Sequence, residues 1–413
     1  MHTRLLCFVD TWMEEDEIED DIVYEEVLED GEGDEDDLQD YSDNMTGAEE
    51  ELRMPEEEVE EGDEDRMTQD DSLYCFRQHT GAVFSVAMNP AGALVCSGGE
   101  DDRAYVWKPE DGTILFECKG HKDSVTCTGF SYDGKYVSTA DMAGTIQVWD
   151  ASTGELKWSF ECGDLEWTQW HPQAHVLLAG TADGTGWMWK VPSGDCKTFE
   201  RHCGRNTCVA ILSQGKCAAF GYEDGAVQLW DLKEARAIPE VSGHLAHTSC
   251  ITCMVSNSDG NLLLTGSEDA TAKLTNGGTG KVLATFDASE GSSGEEQMPV
   301  EAVAFSTSLP VALTGSLSGV LGVWDLSTQK LRQQCRTPEE GGIVCIHSSD
   351  TSPVVYVADL CGVVSLYDVR SGSCERQWFG HSEEVLDMAV AKNETQLVTG
   401  SNDMTARVYS INR

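Results

Sequence analysis

The chain has 413 residues, with 74 Asp and Glu against 27 Lys and Arg, and a formal net charge of −47. That balance argues against nucleic acid and against insertion into an anionic membrane, since both are gripped by clustered basic side chains. No run of 18 apolar residues exists to span a bilayer. Leu5-Leu6-Cys7-Phe8-Val9 is too short for a signal-peptide core, so the 16 cysteines are expected to be reduced thiols. The expected location is the cytoplasm, with the nucleus and the periphery of the cell membrane left open.

Residues 1–71 hold 32 of the acids and three arginines, Arg4, Arg53 and Arg66, while the first lysine of the chain is Lys108. Runs such as Asp34-Glu35-Asp36-Asp37 repel themselves and bury too little apolar surface to offset chain entropy. A disordered acidic tail is expected here. Within it, residues 17–30 set Ile18, Ile22, Val23, Val27 and Leu28 among acids, at a spacing that makes one apolar helical stripe for a partner to order.

From Ser72 the composition changes. Ser72-Leu73-Tyr74-Cys75-Phe76-Arg77 alternates like a strand, and eight turn-plus-strand units follow, ending at Trp107, Trp149, Trp189, Trp230, Thr275, Trp324, Tyr367 and Tyr409. Steps of 40 to 49 residues between these positions suit a four-stranded blade. The eighth unit stops soon after Tyr409, so the 72–77 strand is expected to complete it and close a ring. The expected fold is all-β, an eight-bladed propeller over residues 72–413.

Gly120-His121, Gly243-His244 and Gly380-His381, together with Trp149-Asp150, Trp230-Asp231 and Trp324-Asp325, resemble the marks of WD repeats. That resemblance implies a buried relay of His, Asp, Ser or Thr, and Trp. Its members would be His79, Ser97, Asp101 and Trp107 in blade 1, with His121, Trp149, Asp183, Trp189, Asp224, Trp230, His381 and Asp403 elsewhere. Blades 2, 6 and 7 carry Ala143, Ser318 and Cys361 at the Asp position and are expected to lack the charged member. The runs 120–127, 163–167 and 187–192 are similar to one branch of the family. That likeness implies a role in cell migration and angiogenesis, and fungal relatives imply escort of a large-subunit ribosomal protein.

Catalytic patterns are weak. Gly277-Gly278-Thr279-Gly280-Lys281 resembles a phosphate loop, but Val282 stands where a magnesium-binding Ser or Thr belongs. Cys250 and Cys253 have half a zinc-site spacing with no second pair, and His202-Cys203 with Cys208 is an irregular cluster. No catalytic residue, metal or cofactor is assigned. Tyr367-Asp368-Val369-Arg370 resembles the Trp-Asp-x-Arg box of cullin–RING ubiquitin-ligase substrate receptors, which is the alternative reading. Turn and blade-opening acids are instead expected to converge on one mouth: Glu100, Asp102, Asp123, Asp141, Asp164, Glu166, Glu223, Glu268, Glu383 and Glu384. A negative, walled mouth attracts a basic segment of a protein partner. The expected protein is a monomeric, non-enzymatic scaffold.

Overall fold

The computed structural model describes residues 69–201, 204–241, 245–288 and 298–411. The acidic segment 1–68, the pair His202-Cys203 and Gly243-His244 lie outside them. The chain winds into eight four-stranded antiparallel sheets, blades 1 to 8 of a β-propeller. Blade 1 covers residues 83–118, blade 2 125–161, blade 3 165–199 and blade 4 206–241. Blades 5, 6 and 7 cover 251–287, 300–336 and 343–378. Blade 8 takes three strands from 385–410 and its fourth, Tyr74–Phe76, from the other end of the chain. One short 3-10 turn, Ser213–Gly215, lies between the first two strands of blade 4.

Each blade is a meander whose first strand lies innermost, against the first strands of its neighbours. Second and third strands are buried on both faces. Fourth strands such as Ile114–Cys118 (ILFEC) are the most exposed of each blade. The aromatic position ends each third strand and packs on the fourth strand of the preceding blade. Phe76 stacks on Trp107 with ring centroids 4.4 Å apart, Phe160 meets Trp189 at 5.0 Å and Phe286 meets Trp324 at 4.8 Å. Trp107, Trp149, Trp189 and Trp324 are all buried.

A register shift interrupts the start of every first strand, at 83/85, 125/127, 165/167, 206/208, 251/253, 300/302, 343/345 and 385/387. The extra residue is Phe84, Thr126, Glu166, Thr207, Thr252, Glu301, Val344 or Leu386, and each is buried. A bulge re-aims one side chain without breaking the ladder. Eight of them at one level decide what fills the inner end of each blade.

Candidate partner-binding rim

Two loops of each blade share one face: the loop opening the first strand and the turn between the second and third. One repeated bond ties them. The N–H seven residues before the aromatic position donates to an opening-loop carbonyl. Glu100 donates to Ala82, Met142 to Ser124, Ala182 to Asp164, Glu223 to Arg205, Glu268 to Cys250, Leu317 to Pro299, Leu360 to Gly342 and Asn402 to Glu384, all at 2.8–3.1 Å. A side chain at this position therefore belongs to the same rim in every blade.

Glu100 and Glu223 are exposed there, and Glu268 is half-buried. Their carboxylates lean on their own blade, accepting from the Ala82 N–H (3.1 Å), the Arg205 N–H (3.3 Å) and the Ser249 hydroxyl (2.7 Å). Asp102, Asp164 and Glu383 are exposed beside them, with Asp123 and Glu384 half-buried. Asp123 and Asp164 line one cavity of about 570 Å³ with Met142, Leu165, Glu166 and Arg205. The Asp102 carboxyl is pushed above the ordinary aspartate range by partial burial and then by the negative charges of Asp123, Asp101 and Asp141. Acids on adjacent blades are thus near enough to feel each other. They run without a gap through blades 8, 1, 2, 3, 4 and 5, whereas Leu317 and Leu360 hold the equivalent place in blades 6 and 7.

Two acids expected on the rim are not part of its surface. Asp141 is fully buried: its Oδ2 faces His121 Nδ1 at 3.2 Å and accepts the Lys122 N–H, while Oδ1 accepts the Thr145 N–H at 2.7 Å. It supplies the charged relay member that blade 2 was expected to lack, two residues earlier than the family spacing places it. Glu166 is the bulged residue of blade 3; it is 6% exposed and accepts from Arg205 Nε at 2.8 Å.

Four relays form, in blades 1, 2, 5 and 8. In blade 1 His79 Nδ1 donates to Asp101 (3.0 Å), and Ser97 Oγ donates to His79 Nε2 (2.9 Å) while accepting the Trp107 Nε1–H (3.2 Å). Blade 2 repeats this with His121, Asp141, Thr139 and Trp149. Blade 8 uses His381, Asp403 and Thr399, and Tyr409 stands at the Trp position with its hydroxyl outside the relay. In blade 5 the imidazole is His247, bonded to Asp269 at 3.0 Å and Thr265 at 2.9 Å, three residues after the Gly243-His244 motif. The Gly-His pair misleads there because the opening loop is three residues longer than the motif allows. The cue that finds His247 is its place 28 residues before Thr275, the interval that also separates His79 from Trp107 and His121 from Trp149.

Among the described residues no relay forms through Asp183, Trp189, Asp224 and Trp230. Asp183 is exposed and accepts only from its own turn, Thr181 Oγ1 and the Thr185 N–H. Asp224 pairs with the Arg201 guanidinium at 2.8 Å, and that guanidinium also lies over the Tyr222 ring. The indole N–H groups of Trp189 and Trp230 have no hydrogen-bond partner. These indoles act as packing surface.

The remaining motifs resolve into structure. Asn276 Oδ1 accepts from the N–H groups of Gly278 and Thr279, so the glycine-rich run is a hairpin turn. Cys250 and Cys253 are both buried, Cys253 on the strand Ile251–Ser256 and Cys250 just before it. Among the described residues no group of three or more His, Cys, Asp or Glu could hold a metal, and no helix is long and apolar enough to cross a membrane. Arg370 is folded back onto Asp368 of its own hairpin, on the face opposite the acids.

The model of the WD domain, G-beta repeat, matches residues 70–108, 112–150, 239–276 and 372–410. Those are the four relay blades. The angio-associated migratory cell protein of Homo sapiens is 47% identical over 353 residues, covering 83% of this chain and 81% of that one. The Canis lupus familiaris protein of the same name shows the same identity and coverage. A crystal structure of Chaetomium thermophilum Sqt1 bound to the N-terminus of ribosomal protein L10 superposes with a TM-score of 0.75 at 21% identity, covering 83% of this chain and all of that one. With four relay blades matching the repeat and nearly half the residues shared along most of the chain, this protein belongs to the WD-repeat proteins, in the family of the angio-associated migratory cell protein.

Proposed function

We propose that the protein is a non-enzymatic, monomeric scaffold whose acidic rim grips a Lys- and Arg-rich segment of a partner protein, as an escort for a basic ribosomal protein would. The observation that carries this reading is the unbroken series of rim acids over six successive blades, with Asp102 raised by partial burial and then by the charge of Asp123, Asp101 and Asp141. The fold shared with an Sqt1 structure bound to the N-terminus of ribosomal protein L10 supports it. Roles in cell migration and angiogenesis, which the name of the mammalian relatives suggests, would be exercised in the cytosol through the same grip. The ubiquitin-ligase alternative rests on the Tyr367-Asp368-Val369-Arg370 resemblance alone, since Arg370 is ion-paired within its own hairpin and no second observation supports that reading.

A labelled peptide from the N-terminus of ribosomal protein L10 tests the reading by fluorescence anisotropy. Converting Glu100, Asp164, Glu223 and Glu383 to Lys should weaken binding more than about tenfold, or about 1.4 kcal/mol. Converting Glu110, Glu155, Glu234 and Asp259 on the opposite face should change it less than about twofold. Binding should also weaken as the Debye length falls from about 10 Å at 0.1 M salt to 3 Å at 1 M. Equal losses in the two variants, or indifference to salt, would reduce the rim to a solvated surface.

A further inference from the structure

The face opposite the rim holds a cavity of about 540 Å³ between blades 3 and 4, walled by their turns. Four of the chain's 13 lysines line it: Lys190, Lys197, Lys216 and Lys233. All four are exposed, and none of them is ion-paired to a carboxylate among the described residues. Lys197 instead donates to the main-chain carbonyls of Leu232 and Lys233. Asp195 and Asp231 also line the cavity, the first accepting from Ser193 Oγ and the second from the Glu234 N–H, so the balance of the lining remains positive. Its floor is apolar, built from Val176, Met188 and Leu232. In a chain of net charge −47, such a concentration of unpaired lysines over an apolar floor is a site for an acidic ligand that also carries aliphatic side chains.

We infer that the occupant is the chain's own segment 17–30, docked in cis. It is acidic, and Ile18, Ile22, Val23, Val27 and Leu28 give it the aliphatic complement that the floor requires. The 38 residues from 31 to 68 join it to the first described residue, on the rim side of the disc. A flexible chain of that length spans about 35 Å and at full extension about 120 Å. A domain of this size has a radius of gyration of about 20 Å, so the far face is within reach. Lysines supply orientation and encounter, the aliphatic contacts supply persistence, and the docked tail is kept clear of the acidic rim.

Zero-length carbodiimide cross-linking of the full chain, read by mass spectrometry, tests this at low protein concentration. Links from the acids of 17–30 should concentrate on Lys190, Lys197, Lys216 and Lys233, at several times the yield on Lys108, Lys281 and Lys392. The double variant Ile22→Asp, Val27→Asp keeps every acid and every lysine, and should cut that yield at least about threefold. Mixing isotopically labelled and unlabelled chains should give links within one chain only. Links spread evenly over exposed lysines, a yield untouched by the aliphatic substitutions, or mixed-isotope links would each overturn the proposal. The last of these would assign the cavity to a second copy instead.

Discussion

A buried carboxyl group needs either a partner that keeps it ionised or a proton that makes it neutral. Asp141 and Asp359 occupy the same place in blades 2 and 7, eight residues before the aromatic position, and have taken opposite routes. Burial pushes Asp141 up, but the His121 bond and the Lys122 and Thr145 N–H groups outweigh it and hold the carboxyl below the usual range. Asp359 accepts only the Cys361 and Val363 N–H groups, and at the place of the imidazole blade 7 carries Glu339. Burial, followed by the nearby Glu339 charge, lifts Asp359 to about 7. Its folded value thus lies above the unfolded value of about 3.9, so its stabilising proton is fully in place below about pH 4 and lost as pH rises through 7. Asp359→Asn should therefore melt above the wild type at pH 8, and the gap should shrink as pH falls through 7 and close only near pH 4; a gap independent of pH would contradict this. His247→Ala strips partners from half-buried Asp269 and buried Thr265 and is expected to lower stability by about 2–4 kcal/mol in urea titrations. His175→Ala, which loses a partly exposed pair with Asp133 on the other face, should cost about 0–1 kcal/mol.

At the scale of elements, the seam of blade 8 decides whether the ring stays shut. Tyr74–Phe76 pairs with Ala406–Ser410, the Leu73 N–H donates to the Val408 carbonyl, and Phe76 lies flat on Trp107 of the next blade. Asp70 and Asp71, which the sequence assigns to the tail, belong to this seam. Asp70 is ion-paired with the buried Arg407, and Asp71 exchanges bonds with the Phe379 main chain, donating at 2.9 Å and accepting at 3.0 Å. A chain starting at residue 69 should melt with the full-length protein. One starting at Ser72 leaves Arg407 only its 4.0 Å contact with Asp403 and should lose about 1–2 kcal/mol, a buried-pair cost discounted for the solvent that reaches Asp70. Phe76→Ala or Trp107→Ala should cost about 3–5 kcal/mol each. The eight blades were legible because alternation and the recurring aromatic are local patterns that every repeat must satisfy. The relay was legible only in part. Asp141 sits off the family spacing, and His247 sits beyond a longer loop, so the interval to the aromatic locates them where the dipeptide motif does not. Asp70 was hidden because its partner lies 337 residues away, and no composition boundary marks that pair.

At the scale of the whole molecule, the disc has two chemically different faces. Rim acids from six blades stand on one, while the other carries the lysine cavity between blades 3 and 4. The rim was foreseeable because its acids recur at one position of the repeat. The cavity was not, since Lys190 and Lys197 sit on two strands of blade 3 and Lys216 and Lys233 on two turns of blade 4, which meet only when the blades pack. Hydrogen exchange should distinguish the blades as well. Amides of blades 3, 4, 6 and 7, without a His–Asp relay among the described residues, are expected to open before those of blades 1, 2 and 5. Uniform exchange around the ring would mean that the relays add nothing to local stability.

The three-residue strand Tyr74–Phe76 is also the weakest line along which the molecule can be torn. Force applied through residue 69 loads the Asp70–Arg407 pair and then peels that strand from Ala406–Ser410 pair by pair, opening the circle before any complete blade is disturbed. Force applied through the other end, at Ile411, instead drags on the third strand of blade 8, which is hydrogen-bonded on both sides. An unfolding motor that engages the N-terminal side should therefore linearise the protein at a lower threshold than one engaging the C-terminal side. Optical-tweezer pulling from the two ends would read that mechanical asymmetry directly.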